Sequence, residues 1–234
     1  MNLKSKKKYN TIETMYFTTR DISNIQEREE LHSRLLEDIY SRIDDGEQFD
    51  NAVPHGNIIL DVDHTLCSFI STRFAENTTV TDIQPIPRPG LRKFLRFVFA
   101  HYERVSIWTA GNLEWYSRVK ADVLEPNMPL GASFHFEKTR VEGEPITIVK
   151  PLTEIYAVYP EYNAENTLIV DDSPTTFREN IKNAIHVPAF YYDLMGHNPD
   201  ARRKNAARDN GLYTIIEVLQ GKIRHRLFFE SLMN

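Results

Sequence analysis

Cysteine is nearly absent from this sequence: Cys67 is the single one in 234 residues. A lone thiol closes no intrachain disulfide and cannot build a thiolate zinc site. It suits a reducing compartment. No stretch approaches the ~20 apolar residues of a membrane-spanning helix. The basic start MNLKSKKKYN is not followed by an apolar run, so no secretory signal is expected. Lys4, Lys6, Lys7 and Lys8 read as a solvated terminus or as a nuclear address. Positive charge is in deficit: 28 Lys+Arg against 33 Asp+Glu leaves a net charge of −5, which argues against a general nucleic-acid binder. There is no glycine-rich phosphate loop, no GxGxxG, no repeat and no low-complexity tract. None of the 8 histidines pairs with another at metal-ligand spacing on a helix. What remains is an expectation of an intracellular chain, nuclear or cytoplasmic and not secreted. Its 41% hydrophobic residues are enough for a real core.

Residues 1–55 read as a tail and a helical extension. From Asn24 to Asp45, Leu31, Leu35, Ile39 and Ile43 recur every fourth residue, with a charged face between them. Residues 56–234 read as the main domain, in which strands alternate with helices. NIILD (Asn57–Asp61), RVSIWT (Arg104–Thr109) and TLIV (Thr167–Val170) are short continuous apolar runs, as strands buried on both faces would be. Ser68–Pro87 reads as polar and irregular. Pro89 and Gly90 open a helix carrying Leu91, Phe94, Leu95, Val98 and Tyr102 at helical period. Asn112 is placed to cap a helix that stops near Pro126. Phe134–Val149 reads as short strands, Leu152–Tyr159 as a helix, Ser173-Pro174 as a helix start, Ile185–Tyr191 as a strand and Leu212–Met233 as helical. The fold class expected is α/β: a Rossmann-like, mostly parallel central sheet with helices on both faces.

In open parallel sheets, ligands bind beyond the carboxyl ends of the strands. The residues there are Asp61-Val62-Asp63-His64-Thr65 after the first run, Thr109-Ala110-Gly111 after the second and Asp171-Asp172-Ser173-Pro174 after the third. Lys150 ends the run ITIVK. Taken singly, the aspartates are also turn formers or caps, Thr109 a strand-end hydroxyl and Lys150 a surface lysine. Taken together, four carboxylates converge on one rim, and such a cluster is repulsive unless a cation offsets it. Oxygen-only ligands suit a hard ion, and few protein ligands plus a phosphate suit Mg²⁺. Trp108, Trp115 and Tyr116 either line a groove or belong to the core. Arg202, Arg203, Lys204 and Arg208 read as a solvated basic helix face.

Asp61-Val62-Asp63-His64-Thr65 resembles the DxDxT signature of the haloacid dehalogenase superfamily. With RPGLRKFL, VSIWTAG, Lys150 and VDDSP following in order, the sequence resembles the branch of RNA polymerase II C-terminal-domain phosphatases, also called NLI-interacting-factor-like phosphatases, over roughly Asn57–Tyr192. The resemblance implies an Mg²⁺-dependent phosphomonoesterase acting on phosphoserine or phosphothreonine in a flexible protein segment. By position, Asp61 is implied as the nucleophile, and Asp63 as the general acid and then the base. Thr109, Ala110 and Lys150 are implied at the phosphoryl group. The side chains of Asp61 and Asp172 and the main chain of Asp63 are implied as metal ligands, with Asp171 orienting Lys150 or a bound water. Lys150 is also implied to keep Asp61 ionised. One step from the residues themselves agrees: along an extended chain Asp63 lies about 6–7 Å from Asp61, on the same side.

The sequence also departs from that branch. His64 stands where Glu is usual and reads as a local loop residue. The segment before Arg88-Pro89 is short, and FHFEKTRVEGEP matches poorly, so Lys138 and Arg140 carry no assigned role. No insertion is long enough for a large cap, which leaves an open site for a phosphorylated protein or peptide. Two other readings stand beside this one. The same signature serves polynucleotide 3′-phosphatases, which would make the substrate a nucleic acid or nucleotide. A mitochondrial translocase component uses the fold as a catalytically silent protein-binding module.

Overall fold

The computed structural model describes residues 56–71, 83–141, 149–196 and 198–221. The helix expected over Asn24–Asp45 and the rest of the 1–55 extension lie outside the described residues. So do 72–82, 142–148 and the part of the expected C-terminal helix beyond Gly221.

Three apolar runs form the centre of the molecule. Strand β1 (Asn57–Leu60) is buried along its whole length. It pairs in parallel with β4 (Arg104–Asn112) on one side and with β6 (Thr167–Asp171) on the other. Outside these lie β5 (Glu137–Arg140) and β7 (Ala184–His186), giving a five-stranded sheet of order β5-β4-β1-β6-β7, parallel throughout. The alternation of side chains along a strand splits the core into two faces. Ile58 and Leu60 of β1 pack with Leu168 and Val170 of β6 in one cluster; Ile59 packs with Ile169 in the other.

Helices cover both faces. α1 (Leu91–His101) buries Leu91, Phe94, Leu95 and Val98 against the first face, beside α6 (Gly211–Leu219) with Leu212, Ile215 and Ile216. α2 (Leu113–Val119) adds Trp115, Tyr116 and Val119 to the same cluster and runs on through a wide π-type turn, Lys120–Leu124, to a 3₁₀ turn ending at Asn127. The second face is covered by α3 (Leu152–Val158), with Leu152 and Ile155, and by Phe177 of the short α4 (Pro174–Phe177). α5 (Pro199–Ala206) presents Arg203 and Lys204 to solvent, and Arg203 pairs with Asp200.

Ser68–Pro87 departs from the irregular segment expected. β2 (Cys67–Ser71) and β3 (Ile83–Pro87) form a two-stranded antiparallel sheet in which Phe69 is opposite Pro85 and Cys67 opposite Pro87. Prolines donate no ladder hydrogen bond, so β3 is tolerated because, among the described residues, it has one partner strand only. Ile185–Tyr191 is likewise a strand only as far as His186.

One buried ion pair ties the C-terminal segment to this framework. Arg88, 2% exposed, donates from Nε and Nη2 to the two carboxylate oxygens of Asp209 at 2.8 and 2.9 Å. Its Nη1 reaches the carbonyl oxygens of His64 and Thr65 at 3.3 and 3.2 Å. The Arg88 guanidinium leaves no room for a side chain at residue 211: a Cβ on Gly211 would lie 2.3 Å from Arg88 Nη2.

Candidate active site

Sheet register alone brings the first two acids together. Leu60 is level with Val170, and Asp61 N–H continues the ladder to the Val170 carbonyl at 2.9 Å, so Asp61 and Asp171 end adjacent strands side by side. Both share parity with Ile59 and Ile169, whose face is covered by α3. Lys150 stands two residues before that helix. Its backbone is fixed by an N–H bond to the Thr176 carbonyl and by Asn180 Nδ2 on its own carbonyl. Its ammonium lies 2.5 Å from Asp61 Oδ1 and 2.7 Å from Asp171 Oδ2. Ser173 N–H donates to the other Asp171 oxygen at 2.8 Å. All three charged side chains are buried.

Asp172 joins them from the turn after β6. Thr65 Oγ1 accepts from Asp172 N–H at 3.0 Å and donates to Asp172 Oδ1 at 3.2 Å, bracing the turn against the segment after β1. Carboxylate oxygens of Asp61, Asp171 and Asp172 all lie within 4.8 Å of one another. Such crowding shows in the electrostatics. Burial, resisted by Lys150 and reinforced by Asp171 and Asp63, raises the Asp61 carboxyl to about 7. Burial also pulls the Lys150 ammonium down, but Asp171 and Asp61 outweigh it and hold Lys150 above its ordinary value. The donor set is hard oxygen, buried and short of positive charge, which suits a hard divalent cation.

Asp63 has different partners. Its Oδ2 accepts from Thr109 Oγ1 at 3.2 Å and its Oδ1 from Trp115 Nε1 at 2.7 Å. Burial raises its carboxyl, and the two donors oppose that shift. Thr109, three residues before the end of β4, accepts in turn from Gly111 N–H at 2.9 Å, while Ala110 is exposed. His64 adopts φ 63° in the turn between β1 and β2, with its ring between Phe69 and Tyr191 at centroid distances of 5.0 and 4.4 Å. Histidine tolerates this left-handed conformation better than most residues.

The residues expected at the rim are therefore brought into two linked groups: Asp61, Asp171, Asp172 and Lys150 in one, Asp63 and Thr109 in the other. Lys138 stands apart, engaged by Glu154 at 2.5 Å and over the Trp108 ring at 4.2 Å. Sequence reasoning gave no role to Thr65, whose hydroxyl carries half of the Asp172 turn. It also left the Trp115 indole N–H unnoticed. For Thr65 a signal existed, because it is the last residue of the DxDxT pattern.

The model of NLI interacting factor-like phosphatases matches residues 57–226. The chain belongs to that family. The family match covers every residue of the two groups above. Among curated proteins, the chain is similar to the ubiquitin-like domain-containing CTD phosphatase 1 of Drosophila melanogaster, 29% identical over 182 residues. That match covers 73% of this chain and 54% of that protein. The corresponding Arabidopsis thaliana protein is 33% identical over 182 residues, covering 74% and 50%. The chain spans about half the length of these curated relatives. Among solved structures, that of Fcp1, an essential RNA polymerase II CTD phosphatase, superposes with a TM-score of 0.52 at 15% identity, over 86% of this chain and 67% of that one. This likeness shows the shared fold. No helix among the described residues is long and apolar enough to cross a membrane.

Proposed function

We propose that this chain is an Mg²⁺-dependent phosphomonoesterase that removes phosphate from serine or threonine in a flexible protein segment, such as the C-terminal domain of RNA polymerase II, through an aspartyl-phosphate on Asp61. The observation that carries the reading is the buried cluster of Asp61, Asp171 and Asp172 around Lys150, at the carboxyl ends of adjacent parallel strands. The names of the relatives, CTD phosphatases, supply the substrate class.

The side chains of Asp61 and Asp172 and the main-chain carbonyl of Asp63 would hold the cation. A divalent ion there supplies charge that offsets the phosphoryl oxygens and the crowded carboxylates. Asp171 has one oxygen on Lys150 and the other on Ser173 N–H, and so serves as the anchor of Lys150. In the first half-reaction an Asp61 oxygen attacks phosphorus, the P–O bond to the serine or threonine oxygen breaks, and Asp63 gives that oxygen a proton. In the second, Asp63 takes a proton from water, the water oxygen attacks phosphorus, and the bond to Asp61 breaks to release inorganic phosphate. Splitting one displacement into two lowers each barrier. Lys150 and Thr109 stabilise the phosphoryl oxygens as charge shifts. A single buried thiol accords with a reducing compartment, nuclear or cytoplasmic.

Asp61→Asn tests the nucleophile. The purified variant should fold and melt cooperatively yet lose hydrolysis of an aryl phosphate and of a phosphoserine peptide. EDTA should abolish wild-type turnover and Mg²⁺ restore it. Normal turnover by Asp61→Asn would remove the assignment.

A further inference from the structure

Both oxygens of Asp63 are engaged, and by donors of unlike chemistry. An indole N–H only donates, whereas a hydroxyl donates and accepts. Oδ1 takes the indole N–H of Trp115 at 2.7 Å, the shorter of the two bonds; Oδ2 takes the Thr109 hydroxyl at 3.2 Å. A proton arriving at Oδ2 is compatible with Thr109, which can turn from donor to acceptor there. A proton on Oδ1 competes with a group that has nothing but a proton to offer.

The surroundings hold the indole in that pose. Trp115 is 2% exposed. The Asn112 side chain accepts from Trp115 N–H at 2.9 Å, fixing the first turn of α2, and Phe69 meets the indole edge-on at a centroid distance of 5.8 Å. Gly111 keeps the space between the partners open. A Cβ there would lie 3.0 Å from Trp115 Cδ1 and 3.2 Å from both Asp63 Oδ2 and Thr109 Oγ1. Aromatic packing alone would explain a buried tryptophan, but not one whose N–H reaches the carboxylate of the reacting loop.

We propose that Trp115 is a positioning residue for Asp63: its indole N–H pins Oδ1 and leaves Oδ2 as the oxygen that carries the proton. This rests on the reading of Asp63 as acid and base given above. When the P–O bond of the substrate breaks, its electron pair stays with the serine or threonine oxygen, which takes the proton from Oδ2. In the return half, Oδ2 takes the proton of the attacking water.

Trp115→Phe in the full chain tests this, since phenylalanine keeps most of the ring volume and loses the N–H. The chain has two tryptophans, so ¹⁵N-labelled protein gives two indole N–H resonances. The one missing from Trp115→Phe should be the one that moves in Asp63→Asn, while the Trp108 resonance stays. In kinetics, kcat/KM for a phosphoserine peptide, whose leaving group needs a proton, should fall about 10- to 100-fold, the range expected for losing a hydrogen bond to a charged acid. With an aryl phosphate, whose leaving group departs unaided, the fall should stay within about 3-fold. Gly111→Ala, which crowds the same three groups, should show the same selectivity. Equal losses on both substrates, or an unmoved Trp115 resonance in Asp63→Asn, would overturn the role of Trp115. Turnover surviving in Asp61→Asn would instead overturn the phosphatase reading beneath it.

Discussion

Replacing Lys150 with methionine should cost more stability than most single changes, and the structure says how much and under what conditions. The Lys150 ammonium, 2% exposed as a residue, is within 2.7 Å of two buried carboxylates. Methionine keeps the length of the side chain and removes the charge, so Asp61 and Asp171 are left facing each other without compensation. Removing one partner of a buried ion pair costs about 3–5 kcal/mol. For a domain of this size each kcal/mol moves the midpoint by about 2–4 °C, which gives a drop of about 6–20 °C. The assay is urea and thermal unfolding of both proteins in EDTA, at pH 6 and pH 8. The cost should be larger at pH 8, because at pH 6 the stranded carboxylates can take up protons. Adding Asp171→Asn to Lys150→Met should recover part of the loss, with a coupling of about 0.5–3 kcal/mol. A natively folded Lys150→Met that loses under about 1 kcal/mol in EDTA at pH 8 would refute the reasoning.

In metal-free wild-type protein, Asp61 holds its proton up to about pH 7, against 3.8 for the ordinary carboxyl, so the folded chain binds more protons than the unfolded one in that window. Its stabilising contribution is complete below the unfolded value and lost as pH rises through 7. The urea midpoint in EDTA should therefore decline across that range and the decline should shrink with Mg²⁺; a rising midpoint in EDTA would contradict the crowding at Asp61. Burial pushes the Cys67 thiol well above its ordinary value, and the side chain is 0% exposed. A disulfide reagent at pH 8 should react with it only at the rate of unfolding, and rapid labelling of native protein would contradict the packing of β2.

The parts of the fold that could be read from the sequence are those where burial is continuous. β1, β4 and β6 appear as apolar runs because both of their faces are covered. β3 does not, because Pro85 and Pro87 argue against a strand and only its pairing with Cys67–Ser71 makes it one. The π-type turn over Lys120–Leu124 leaves no trace in a pattern that reads as uninterrupted helix. At the site, Asp61, Asp171 and Asp172 were legible because each ends or follows a strand, and strand ends meet at one rim; Thr109 lies within β4, and residues 146–148 of the run before Lys150 lie outside the described residues. What was not legible depends on contacts distant in sequence. Thr65 meets Asp172 across 107 residues and Arg88 meets Asp209 across 121. Trp115 was hidden for a different reason: at helical spacing an aromatic reads as core, and it is core, but one atom of its ring also reaches the Asp63 carboxylate.

Covalent phosphorylation of Asp61 is the claim on which the mechanism turns. The Asp63→Asn variant, mixed with an aryl phosphate and Mg²⁺, should accumulate the intermediate because the base for its hydrolysis is gone. Acid quenching, borohydride reduction and peptide mapping should then show residue 61 converted to homoserine. Label on another side chain, or steady turnover with residue 61 unmodified at every time point, would contradict the account.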